Sequence, residues 1–377
     1  MAQLHLDPQV DDSRTVSSTA MAQTCLQMRA KCCDYGEHMD FRSILVSFFL
    51  HVYHAKVNQR NSAMMYIQEA IAGVRVLRLD EGAYDREDDI ISNKTLVFPL
   101  IWVSERGYAL HLGLSPSYSE LPTIPELESD EVADVDAHGL LELVKLFIAF
   151  DRISVRRSSR VGITVAADLT ETEKRLTSLC FTMADRVSTR TADYHITREW
   201  MRTILWQDAL SMGLLSSSAH TSVMKFGYPA QVGRDLLQAL RRFRDTDLVP
   251  LGRDQLLKCF EVANSLADTI LLTLSGAGSR LELGPQDFLH ALYQKITPFL
   301  DQDEMLKSIL RAKTAEALVT APARLLTVEA SVVDLHSRHE PVPVVVSENI
   351  LYGVIDEQNE SSTNSFDWLS QLNQQIF

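Results

Sequence analysis

Apolar residues recur at intervals of three and four along most of this chain, the spacing that gives an α-helix one buried face. The clearest case is residues 60–79, where Ala63, Met64, Ile67, Ala70, Ile71, Val74 and Leu77 form one stripe, broken only by Gly73. A glycine in such a stripe lets a neighbouring element approach closely. The preceding segment, FRSILVSFFLHVYHAKV at 41–57, is apolar over most of its circumference and predicts a central, buried helix. An Asn-Gln turn joins the two. Another helix is predicted over 13–33, after an Asp-Asp-Ser start, and one over 94–112 with a kink at Pro99 near its start. The same periodicity places helices at 139–153, 171–189, 197–215, 231–244, 254–274 and 285–296. Strand signals are scarce, and VPVVVSENILYGVI at 342–355 is the one β-like run.

The pattern breaks in two places. SPSYSELPTIPELESDEVADVDAH at 115–138 carries three prolines and a run of acids without useful periodicity, and reads as an acidic loop. After Arg338 there is no lysine or arginine, while Glu340, Glu348, Asp356, Glu357, Glu360 and Asp367 remain. The predicted architecture is therefore all-α, a two-halved array of packed helices. A flexible N-terminus (1–12) precedes a first helical half (13–114), the acidic loop (115–138), a second half (139–319) and a partly disordered acidic tail (320–377). The chain closes on SFDWLSQLNQQIF, which sets Phe366, Trp368, Leu369 and Leu372 among polar groups. Such a segment can fold as an amphipathic helix on a partner, with these four residues as candidate coactivator contacts, or dock on the core as a C-terminal helix.

Composition narrows the chemistry. The 377 residues carry a formal net charge of -14, a balance that repels phosphate, so direct nucleic-acid contact is not expected of the chain as a whole. Five cysteines at irregular spacing suggest no disulfide framework and point to a reducing compartment. The N-terminus has no apolar core of a signal peptide, and the run LVFPLIWV at 96–103 is far short of the roughly 20 residues that span a bilayer. A soluble, intracellular chain without membrane contact is expected.

Local motifs assign no reactive centre. Cys25, Cys32, Cys33 and His38 lie close in sequence, but a zinc site needs about four ligands in two pairs, so buried thiols on a helix face are the better reading. His51 and His54 share a helix face with no third ligand and read as packing or capping groups; His336 and His339 are weaker still. SGAGSR at 275–280 lacks the third glycine and preceding strand of a dinucleotide loop, and reads as a helix C-cap with a turn. The acid pairs Glu171–Glu173 and Asp88–Asp89 read as solvated charge at helix N-termini. The clusters Arg156, Arg157, Arg160 and Arg241, Arg242, Arg244 read as solvated surface. No catalytic, metal or DNA-binding residue is assigned, and no cofactor is expected.

Six blocks, in order, carry a family resemblance: FRSILVSFFLHVYHAKVNQRNSAMMYIQEAIAGVRVLRLDE; LVFPLIWVSERGYALHLG; LVKLFIAFDRI; DYHITREWMRTILWQDALSMGLLSS; FGYPAQVGRDLLQALRRF; and LLKCFEVANSLADTILL. Over residues 24–272 the chain resembles the central, middle-homology regulatory region of fungal binuclear zinc-cluster transcription factors. The branch it is most similar to holds sugar-utilisation activators and regulators of secondary-metabolite gene clusters. The resemblance implies an all-helical scaffold without catalytic residues, a nuclear location, and contacts with transcription machinery or a homologous factor as a homo- or heterodimer. The family's DNA-binding module holds two zinc ions on six cysteines in a C-x2-C-x6-C pattern and its repeat, and this chain has no such set. Cys25 and Cys32 reproduce one gap, by coincidence. Three alternatives stand beside a regulator without its own DNA reader: a longer product with the cluster upstream, a subunit that sequesters an intact homologue, and a helical enzyme or ligand sensor with a pocket between the halves.

Overall fold

The computed structural model describes residues 17–81, 94–118, 120–125, 135–157, 163–179, 181, 188–272, 283–302 and 304–321. Among these residues the fold is all-α, with no strand, as the periodicity predicts. Twelve α-helices follow in order: α1 Ser18–Lys31, α2 Phe41–Lys56, α3 Arg60–Val76, α4 Val97–His111, α5 Val135–Arg157, α6 Ile163–Ser178, α7 Thr189–Ser211, α8 Tyr228–Leu240, α9 Asp245–Leu248, α10 Gly252–Leu272, α11 Pro285–Ile296 and α12 Glu304–Thr320.

The opening hairpin forms for reasons visible locally. Asp40 caps α2 by accepting the Ser43 backbone N–H at 2.7 Å. Asn58, with φ 59°, takes the left-handed conformation that reverses the chain, one of the few residues that tolerates it. Gly73 does what its place in the stripe predicts. A Cβ there would sit 2.7 Å from Ile44 Cγ1 and 3.1 Å from Met39 Sδ, so α2 and α3 approach closer than any larger residue permits.

Packing then passes from α3 to α4, from α4 to α5, and from α5 to α6 and α7. Helices α7 and α10 are central: α7 packs on α5, α6, α8 and α10, and α10 on α8, α11 and α12. The two helices supply the large buried groups Tyr194, Trp200, Trp206 and Phe260.

Several boundaries differ from those predicted. Helix α7 starts at Thr189 rather than 197, because Ser188 caps it by accepting the Thr191 N–H at 3.2 Å. Its first turns bury Thr191, Ala192 and Thr197 beside Tyr194 and Ile196, and the three small or polar side chains interrupt the apolar stripe. Helix α6 spans Ile163–Ser178 rather than 171–189, with Leu169 and Leu176 fully buried. Helix α12 falls within the predicted second helical half but matches no helix assigned there: its buried positions are Leu306, Leu310, Thr314 and Ala317, half of them weak hydrophobes. Pro99 lies in the first turn of α4, where its missing N–H has no acceptor inside the helix, and the helix continues through it from Val97 to His111.

The acidic stretch is anchored where it leaves α4. Trp102 Nε1 donates to the Glu120 carbonyl at 2.9 Å and Arg106 to the Tyr118 carbonyl at 2.6 Å, while Glu105 accepts the Ser117 N–H at 2.6 Å. Arg106 also bonds Asp151 of α5 at 3.1 Å, and Tyr118 donates to Asp80. Helix α5 begins at Val135, inside the segment read as loop. Residues 1–12, the run 342–355 and most of the tail, with Phe366, Trp368, Leu369 and Leu372, lie outside the described residues.

Candidate functional site: a cleft at the head of α8

The residues singled out by motif do not converge. Cys25 is half-buried on α1, and burial pushes its thiol up. Cys32 and Cys33 are exposed, not buried, because α1 ends at Lys31 and leaves them in the following turn. His38 is exposed too. Among the described residues no group of three or more potential ligands could hold a metal. His51 Nδ1 pairs with the Ala63 carbonyl at 2.9 Å and His54 Nδ1 with Gln59 Oε1 at 2.5 Å, so both hold the α2–α3 turn. Arg241, Arg242 and Arg244 are exposed at the end of α8, and Arg244 pairs with Asp247. Asp88, Asp89, Arg160, 275–280, His336 and His339 lie outside the described residues, as do the side chains of Arg156 and Arg157.

The acid pair on α6 is corrected in part. Glu171 is exposed and bonds Arg175 at 3.0 Å, but Glu173 is buried in mid-helix and accepts from the Tyr228 hydroxyl at 3.2 Å. It belongs to a buried polar network centred on Arg202, which is only 2% exposed. Arg202 Nη1 donates to Glu199 at 2.5 Å and to Asp235 of α8 at 2.8 Å, and Nε donates to the Tyr228 hydroxyl at 3.0 Å. Burial alone would depress the guanidinium pKa; the Glu199 carboxylate beside it overrides this and raises it. Burial raises the Tyr228 phenol, so it stays protonated and can donate. The available signal was a charged Glu199–Arg202 pair, three residues apart, in register with the apolar face of α7.

This network fixes Tyr228 at the head of α8, and the strand of chain before it is fixed as well. Ser216 N–H donates to the Met224 carbonyl at 2.9 Å, Trp206 Nε1 to the Lys225 carbonyl at 3.1 Å, and Thr269 Oγ1 of α10 to the Phe226 carbonyl at 3.4 Å. The result is an open cleft of about 610 Å³, within the size range of small-molecule sites. Its walls are mostly apolar, with Phe226, Gly227 and Tyr228 on one side. Ser217, Ser222, Lys225 and Gln231 supply its polar groups. None of these four side chains has a hydrogen-bond or ion-pair partner among the described residues.

A second buried cluster joins α4, α7 and α10 around Trp200. Its indole N–H donates to Glu261 at 2.5 Å, and His111 stacks on its ring with centroids 4.6 Å apart. Lys258 Nζ lies 5.1 Å from the ring centroid and donates to Thr197 Oγ1 at 2.9 Å. Burial pushes Glu261 up to about 7. Burial, with the Lys258 charge second, pushes His111 down to about 4.

No family model matches the chain, and no solved structure matches it. Two curated relatives do. The chain is 25% identical over 245 residues to a probable sucrose utilization protein of Candida albicans, covering 63% of this chain and 48% of that protein. It is 22% identical over 268 residues to a maltose fermentation regulatory protein of Saccharomyces cerevisiae, covering 66% of this chain and 54% of that protein. The chain thus spans about half the length of these relatives, and is similar to proteins named for fungal sugar utilisation and its regulation.

Proposed function

We propose that this chain is the helical regulatory scaffold of a fungal transcription regulator of sugar utilisation, acting in the nucleus through protein contacts rather than by catalysis. The observation that carries the reading is the similarity, across roughly two thirds of the chain, to a maltose fermentation regulatory protein and a sucrose utilization protein. Of the two branches named by the family resemblance, these relatives favour sugar utilisation over secondary metabolism. The buried hairpin of α2 and α3 and the tied Arg202 network suit a scaffold that keeps its shape while it offers surfaces to partners. Those partners are transcription machinery or a homologous factor, and DNA contact belongs to a six-cysteine module outside this chain.

The test is a reporter assay with residues 1–377 fused to a heterologous DNA-binding module. The expected result is activation that Trp368→Ala with Leu369→Ala abolishes, as the amphipathic segment at 366–372 would require. Activation left intact by the double variant would remove the tail from the proposal. A fusion that neither activates nor represses, in cells grown with or without maltose, would contradict the regulatory reading as a whole.

The cleft favours a second element within the same reading, a small-molecule effector site. It lies at the head of α8, which packs on both α7 and α10.

A further inference from the structure

We propose that the cleft at the head of α8, lined by residues 217–231, binds a small organic monocarboxylate with an apolar body, such as an aryl or branched aliphatic acid. This rests on the effector-site reading of the cleft and names its ligand class, and binding of such an acid can be measured apart from any regulatory role.

Four observations point to that chemistry. The cleft of about 610 Å³ is large enough for a two-ring or branched acid. Its walls are mostly apolar, and Phe226, 37% exposed, presents a ring that nothing in the fold fully covers. An apolar ligand body placed there removes both surfaces from water. The cleft has one cation, Lys225, whose ammonium has no ion-pair partner among the described residues even though the chain holds 50 acids and a net charge of -14. One ammonium answers one carboxylate by a charge-assisted hydrogen bond, and Ser217, Ser222 and Gln231 complete the polar set.

The same features weigh against other ligand classes. A disaccharide brings many hydroxyls, and burying them against a largely apolar wall with three neutral polar side chains leaves most unsatisfied. A nucleotide or sugar phosphate brings two or more charges to a site with one cation in an acidic protein.

The site is built before any ligand arrives. The carbonyls of Met224, Lys225 and Phe226 each accept a bond from elsewhere, from Ser216, Trp206 and Thr269 respectively. Tyr228 is fixed by Arg202 and Glu173. The backbone is thus fixed in advance, and what binding must still order is the side chains of Lys225, Ser217, Ser222 and Gln231.

The experiment is calorimetric titration of the full chain with naphthalene-2-carboxylate, its neutral alcohol analogue and maltose. The expected result is saturable one-to-one binding of the carboxylate, weakened about tenfold or more in the alcohol and in Lys225→Met, as loss of a charge-assisted bond predicts. Gly227→Leu is expected to abolish binding without unfolding the protein. A Cβ at Gly227 meets nothing within 4 Å, and φ there is an ordinary -81°, so the leucine extends into open space on the cleft wall. Equal binding of acid and alcohol, binding indifferent to Lys225→Met, binding of maltose in preference to the acid, or no binding of any probe would each overturn the proposal.

Discussion

Arg202 shows how much a single residue can depend on distant ones. Its guanidinium is nearly inaccessible, yet it stays charged because Glu199, Asp235 and the Tyr228 hydroxyl surround it. Arg202→Ala should destabilise the protein by about 3 kcal/mol in denaturant melts, since buried Glu199 would keep only Arg198 as a partner while Asp235 and the Tyr228 hydroxyl would lose their buried donor. The double variant Glu199→Gln with Arg202→Met should lose less than the single one, because no orphan charge remains. Around Trp200 two opposed titrations make a pH prediction. Glu261, raised to about 7, holds in the fold a proton that the unfolded chain releases from its ordinary value of 4.5, so its contribution to stability falls as pH rises from about 4.5 to 7. Arg253 and Lys258 face His111 as cations and Asp254 as an anion; His111, lowered to about 4, lacks in the fold a proton that the unfolded chain binds below 6.5. Its contribution therefore rises with pH from about 4 to 6.5, and the two slopes largely cancel in the wild type. Glu261→Gln should unmask the rising slope and His111→Phe the falling one, each worth at most about 3 kcal/mol. Stability curves of both variants between pH 4 and 7.5 would check this, and identical profiles would refute it.

At the scale of elements, agreement between pattern and structure follows the strength of the side chains on the buried face. The α2–α3 hairpin has isoleucine, phenylalanine and leucine there, and its turn at Asn58 and its close contact at Gly73 were both legible. Gly73→Ala sets a gain in helix propensity of about 1 kcal/mol against a Cβ forced to 2.7 Å from Ile44 Cγ1. Ile44 is fully buried and has little room to yield, so we expect a net loss of about 1–2 kcal/mol in a thermal melt. Gly36→Ala, with nothing within 4 Å, is the neutral control. By contrast the start of α7 and the second half of α12 mix threonine and alanine into the core face. Such residues count as polar or neutral in a periodicity count, and only the neighbouring helix reveals that the face is inside. The prolines at 116, 122 and 125 correctly announced a break in helix, but not that Glu105, Arg106 and Trp102 would bind the first part of that break to α4.

For the whole molecule, sequence alone settled the fold class. Helical spacing is a local property, repeated in segment after segment, and it does not need the partner helix to be known. It also limited the chemistry: a net charge of -14 and cysteines without metal-ligand spacing argued against a DNA-reading or zinc-holding role for this chain. The cleft and the two buried polar clusters were decided by tertiary structure. Glu173, Arg202, Tyr228 and Asp235 stand on three helices, and each looks solvated when read alone. Whether a charge is buried, whether a phenol is held as a donor, and whether four polar side chains face one hollow depend on which elements meet. That meeting is set by the packing of α6, α7, α8 and α10 together, and no single stretch of the chain contains it.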